Sequence, residues 1–301
     1  MILLWVPLKK KTASGHRFVA FGHTSHGWGR MSTELSGAEN FAVGATAGTI
    51  EVTILQPMLY CKNASQQGLP LTLNPMVLYR GLTVSVINMA SLTALQFPLS
   101  SFSAGLITGG QSAHRKLTDE EQVASGFCGG ALSGFLCAPM ELVLIQQQRF
   151  GGSLLATPAR LMRENGVLSI FRGLIPSCGR EGLFTAGYVG VGPAFAGMLR
   201  EQAGFDGVQA KMVGAIGAGV LCATLSHPLD TMKTCMQGDV EQKTYKGFSH
   251  TAGTLYSQGG LSSFFRGWAW RTGRMILAVG IMTECKERLG PLMFPHKYKP
   301  K

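Results

Sequence analysis

Charge is scarce in this 301-residue chain, at 14% of residues, against about 25% in an average soluble protein. The places where it gathers are therefore informative. Arg180 and Glu181 are adjacent in the otherwise uncharged run IPSCGREGLFTAGYVGVG. A neighbouring guanidinium and carboxylate can bind a carboxylate and an ammonium together, which suits an amino acid; they can equally satisfy each other as a local ion pair. Arg274, with Arg271 one turn earlier, offers a cationic site for a carboxylate, while Arg271 alone also suits a lipid headgroup or a packing role. HPLDTMK places Asp230 and Lys233 three residues apart, on one helix face, at the end of an apolar run. Charge at mid-membrane depth costs about 2.5–3.5 kcal/mol per residue and persists where it faces a water-filled cavity or a partner.

Soluble catalysis has no foothold. GxGxxG, Walker and nucleophile-elbow patterns in suitable context are missing, and GFCGGALSG reads as a helix-packing face rather than a phosphate loop. Cys61, Cys128, Cys137, Cys178, Cys222, Cys235 and Cys285 are scattered, with no CxxC and no His/Cys pair at metal spacing. They read as buried thiols in a reducing compartment, with no metal and no disulfide. No catalytic residue is assigned, and the chain is not expected to be an enzyme.

The elements that hold these charges follow from composition. Apolar residues make up 46% and glycine contributes 40 positions. Glycine is poor in soluble helices but frequent in packed membrane helices. Mean hydropathy is only slightly positive, so membrane helices here would face a polar interior. The formal net charge of +11 suits an anionic lipid surface or anionic solutes. No basic–aromatic motif for nucleic acid is present. Residues 1–30 carry Lys9, Lys10, Lys11, Arg17 and Arg30 and no acid; they read either as a presequence or as a stretch upstream of a start at Met31.

Self-comparison exposes a threefold repeat. ILQPMLYCK, LCAPMELVLIQ and LSHPLDTMKTC carry Pro57, Pro139 and Pro228 near the end of an apolar run. Nine residues before each proline stands Gly48, Gly130 or Gly219, and thirteen before stands Gly44, Gly126 or Ala215. Such small residues let backbones approach closely. Each proline removes a backbone donor and bends its helix. Downstream come YRG, FRG and FRG, with Arg80, Arg172 and Arg266. Spans are expected at 37–66, 82–109, 120–148, 174–200, 208–237 and 268–290, each near the ~20 residues a bilayer needs.

With these motifs in register, the chain resembles the mitochondrial carrier family over about residues 37–293. The family signature is Pro-x-acid-x-x-base in three copies. HPLDTMK matches in full, APMELVL keeps Glu141 but has Leu144 at the basic position, and QPMLYCK keeps Lys62 but has Leu59 at the acidic one. The resemblance implies an all-α membrane protein: six transmembrane helices in three tandem two-helix repeats around a central cavity. Repeats would cover 37–116, 117–206 and 207–295, after an N-terminal extension or presequence at 1–36 and before a tail at 296–301.

The resemblance also implies roles. A ring at the matrix side would pair Glu141 with Lys233, Asp230 with Lys62, and Leu59 with Leu144. Substrate contacts would fall at Asn88, Arg180 with Glu181, and Arg274 with Arg271. The matching cytosolic positions are Ser101, Pro193 and Glu287, with Ala104, Ala196 and Gly290 as their partners, so only Glu287 is charged there. Cardiolipin phosphate could sit at helix N-termini near Gly152, Arg172, Gly173, Gly247, Arg266 and Gly267, or glycine there could merely permit a turn. The first repeat is short, and its connecting helix should be truncated between Pro70 and Pro75. The implied activity is alternating-access exchange of a small metabolite across the mitochondrial inner membrane by a monomer, with no cofactor. Arg180–Glu181 resembles the amino-acid carriers of the family. Carriage of keto acids or di/tricarboxylates is the alternative suggested by the arginines. A degenerate, non-transporting scaffold or insertion factor is the alternative suggested by the weak cytosolic ring and the short first repeat.

Overall fold

The computed structural model describes residues 36–110, 115, 117–202 and 207–297. The N-terminal basic stretch lies outside the described residues. So do the side chains of Pro193 and Ala196. Among the described residues the structure is all helical. Six long helices dominate: α1 (Gly37–Gln66), α3 (Leu82–Ile107), α4 (Asp119–Phe150), α6 (Leu174–Gln202), α7 (Gly207–Gly238) and α9 (Trp268–Met293). They run 26 to 32 residues, which is about 39–48 Å. Three short helices, α2 (Pro75–Leu78), α5 (Ala156–Asn165) and α8 (Phe248–Gly259), each join the two long helices of one repeat. Each long helix packs on the next along the chain, and α9 returns to α1, so the six form a closed ring.

Local sequence explains the ends. Ser36 and Thr118 open α1 and α4 as complete capping boxes with Glu39 and Glu121. Pro57, Pro139 and Pro228 lie inside α1, α4 and α7, which continue for two or three turns beyond them. In the first repeat the connecting helix is only four residues, entered by Asn74 as cap and Pro75 at its first turn. α5 and α8 run 10 and 12 residues at the same place in the other repeats.

The packing is inverted relative to a soluble protein. The largest fully buried side chains include His227, Gln56, Gln66, Gln237 and Glu51. Phe127, Leu132, Phe135 and Leu136 of α4 lie exposed. Most buried polar groups in folded proteins have hydrogen-bond partners, and an apolar exterior of this extent needs an apolar surrounding. The segments Pro75–Ile107 and Asp119–Phe150 are long and apolar enough to cross a membrane by length and composition.

The small-residue face works unevenly. In α4, a Cβ on Gly130 would stand 2.5 Å from the Glu181 carbonyl oxygen, and one on Gly126 3.4 Å from Ala186 Cα. A Cβ on Gly129, on the other side, would stand 2.5 Å from Ser100 Cα. α3, α4 and α6 are therefore in backbone contact that no side chain could enter. The first repeat corrects the expectation, since no such neighbour lies within 4 Å of a Cβ built at Gly44 or Gly48. The thiols also divide. Cys137, Cys222 and Cys235 are buried, but Cys128 is exposed beside Phe127 on the apolar exterior of α4.

Candidate functional site

The Arg-Gly turns build the site. Gly81, Gly173 and Gly267 all have left-handed backbones, with φ of +77°, +76° and +78°. Only glycine adopts that region at no cost. Each turn leans on the proline-bearing helix of the next repeat. A Cβ on Gly81 would press on Leu144, one on Gly173 on the Lys233 carbonyl and Gln237, and one on Gly267 on the Lys62 carbonyl at 2.8 Å. The three positions touched are the equivalent basic positions of repeats two, three and one. In repeats one and three the turn is also held from inside by the residue before the proline: Gln56 donates to the Arg80 carbonyl at 3.1 Å, and the His227 ring lies 3.0 Å from that of Arg266. In repeat two that residue is Ala138, which has no such side chain.

Those turns set the depth at which the charges meet. Lys62 Nζ is 2.8 Å from Asp230 Oδ2, and Lys233 Nζ is 3.0 Å from Glu141 Oε2. Leu59 packs against Leu144, Val143 and Val84. All three contacts run the same way around the ring, between α1 and α7, α7 and α4, and α4 and α1. At about 4 Å a unit pair has a Coulomb energy of about 4 kcal/mol at an effective dielectric of 20, much of it offset by desolvation. The net contribution of each pair is therefore modest.

Two arginines extend this layer. Arg180 Nη2 lies 2.5 Å from both Glu141 Oε1 and Glu181 Oε1, and its Nε is 3.5 Å from Asp230 Oδ1. Arg271 stands 3.5 Å from Asp230 and donates to Ser226 at 2.9 Å. Arg180 and Glu181 thus join the Lys–acid layer instead of standing apart from it. The connected cluster holds three acids (Glu141, Glu181, Asp230) and four bases (Lys62, Lys233, Arg180, Arg271). Arg274 lies outside it, paired with Glu51 of α1 at 3.0 Å. The Asn88 side-chain oxygen is buried with no hydrogen bond among the described residues.

Glutamines complete the ring. Nine residues after each proline stand Gln66, Gln148 and Gln237. Gln66 donates to Asp230 at 2.8 Å, Gln148 accepts from Asn63 at 2.6 Å, and Gln237 donates to the Ala138 carbonyl at 3.4 Å. The same self-comparison that aligned the prolines could have found them. Glu51 had no such signal, because the equivalent positions in the other repeats are Ser133 and Cys222.

The opposite end is built differently. Ser101 and Glu287 are exposed, while Ala104 and Gly290 are buried. Among the described residues no charged ring forms from these positions. The close backbones of α3, α4 and α6 and a 2.5 Å hydrogen bond from Gln96 to Thr185 hold that end. At the proline end, Arg172 donates to the carbonyls of Lys246 (2.7 Å) and Tyr245. Arg266 Nη1 donates to Gln258 at 3.2 Å. Gly152 has φ +110°, whereas Gly247 is extended and caps α8 without a side-chain bond. Asp239 accepts the N–H groups of Lys243, Thr244 and Tyr245. Burial pushes its carboxyl up, but those three donors and Arg172 outweigh it and hold the pKa below the ordinary value.

A family model described as mitochondrial carrier protein matches residues 117–202 and 206–297. A mitochondrial carrier of Schizosaccharomyces pombe is 27% identical over 88% of this chain and 97% of its own length. The mitochondrial citrate transporter A of Aspergillus niger is 24% identical over 84% of this chain and 91% of itself. The mitochondrial glycine transporter of Yarrowia lipolytica is 24% identical over 79% of this chain and 89% of itself.

Proposed function

Because the chain belongs to the mitochondrial carrier protein family, we propose that it exchanges an amino acid or related zwitterion across the mitochondrial inner membrane. It does so as a multi-pass monomer working by alternating access. The observation that carries this reading is the Lys62–Asp230 and Lys233–Glu141 layer, which closes one end of a polar-lined ring. Closed by ion pairs and open to exchange of partners, such a layer is a gate. The inner surface presents Arg180, Glu181, Arg271 and Arg274, a mixed set of charges that suits a carboxylate and an ammonium on one small molecule. Arg180 reaches both the gate acids and Glu181, so a carboxylate that engages it competes directly with gate closure.

A second reading has its own support. The cluster has one more base than acid, and an anion entering it would balance the count. The citrate transporter among the relatives agrees with carriage of keto acids or di/tricarboxylates, as the glycine transporter agrees with the first reading. The Arg172 and Arg266 turns, with Gly173 and Gly267 behind them and Gly152 and Gly247 at the short helices, remain a candidate seat for an anionic lipid such as cardiolipin.

Uptake by purified full-length protein in liposomes tests the proposal, with a panel of labelled amino acids and carboxylates. Exchange of an amino acid supports it. Exchange confined to carboxylates without an amine selects the second reading. No uptake by folded protein selects a scaffold.

A further inference from the structure

The Glu51–Arg274 pair shares no member with the gate cluster. Arg274 follows Arg271 by three residues along α9, so it lies about 4.5 Å further from the gate along that axis. Glu51 is fully buried, and its Oε1 accepts from Arg274 Nη2 at 3.0 Å. Its other oxygen, Oε2, is buried with no hydrogen-bond partner among the described residues, and so is Arg274 Nε. A guanidinium and a carboxylate can match at two points. Here one prong is made and each partner keeps a spare one. Asn88, at the position in repeat one that Arg274 holds in repeat three, also keeps its buried oxygen unsatisfied. α9, α1 and α3 are consecutive around the ring, so one open polar position stands on each of three neighbouring helices.

We propose that Glu51 is the substrate-ammonium site of this carrier and that its bond to Arg274 is a placeholder for the empty state. The inference rests on the amino-acid reading above and sharpens it. An incoming zwitterion places its carboxylate on Arg274 and its ammonium on Glu51, exchanging one ion pair for two. A neutral pair receives a molecule of zero net charge, so no charge is buried unmatched. A carboxylate lacking an amine brings a second negative charge to a buried site with one cation, so the pair selects against it. The assignment moves ammonium recognition away from Glu181, whose partner Arg180 is shared with Glu141 inside the gate cluster.

The experiment uses full-length protein in liposomes and compares uptake of alanine with that of pyruvate, its oxo-acid counterpart. Wild type should favour alanine. Glu51→Gln should lower alanine uptake at least tenfold while pyruvate uptake holds or rises, since Arg274 is then free. The double variant Glu51→Gln/Arg274→Gln removes both charges together, should unfold near the wild-type temperature, and should lose both substrates. A proportional fall in both uptakes in Glu51→Gln, or an unchanged ratio, overturns the assignment while leaving the amino-acid reading intact. Should the single variant fail to fold, alanine uptake by the double variant overturns it instead. A wild type that carries pyruvate or citrate but no amino acid overturns the underlying reading, and with it this one.

Discussion

Single residues carry the geometry here through their backbones as much as through their charges. Gly267 combines a left-handed φ of +78° with a neighbouring carbonyl 2.8 Å from where a Cβ would stand. The conformation alone costs an ordinary residue about 1–2 kcal/mol. Gly267→Ala should therefore lower thermal stability in detergent by at least that amount, and the Lys62–Asp230 contact should loosen with it. Gly44→Ala, with open space around its Cβ, should be neutral or stabilising by up to about 1 kcal/mol from helix propensity. Equal losses at both positions would contradict the packing described. At this scale the sequence was partly legible. Lys62, Glu141, Asp230 and Lys233 were found because a threefold spacing fixes their register. Glu51 was missed because it occurs once, and self-comparison discards what does not repeat. The glutamines at 66, 148 and 237 do repeat, but attention to charge passed over them. The reach of Arg180 to two other helices was not legible, since spacing along one helix says nothing of a long side chain's partners on others.

Elements meet through loops as well as faces, and the turn after α7 shows how. Asp239 gathers three N–H groups, and Arg172 of the preceding repeat holds the carbonyls of Tyr245 and Lys246. The Asp239 carboxyl has its pKa lowered on folding, so its contribution to stability is complete above the unfolded value of about 3.9. That contribution is lost as pH falls through the lower folded value. Asp239→Asn should unfold at a lower temperature than wild type at pH 6, and the gap should narrow steadily below about pH 4. A gap that stays constant to pH 3 would mean the carboxylate is not what orders the turn. The short α2 was legible from Pro70 and Pro75. The different behaviour of the glycine faces in α1 and α4 was not, because identical spacing does not say whether a neighbour arrives.

Among the described residues the six long helices form a ring with a contact layer of mixed character at the proline end. Two sectors are ionic and the third is Leu59 against Leu144. Leu59→Glu with Leu144→Lys would supply the missing pair. Either change alone buries an unmatched charge and should lower stability markedly. Together they should recover most of that loss and slow liposome exchange. An added 1.4 kcal/mol in the closed state corresponds to about tenfold. Exchange faster than wild type in the double variant would show that this layer does not limit turnover. The leucine sector has a further consequence. Apolar burial is driven by water, weakens on cooling and carries a heat-capacity change opposite in sign to that of burying polar groups. This third of the seal therefore carries its own heat-capacity signature, and a cold membrane would find the molecule leakier in one sector than in the other two.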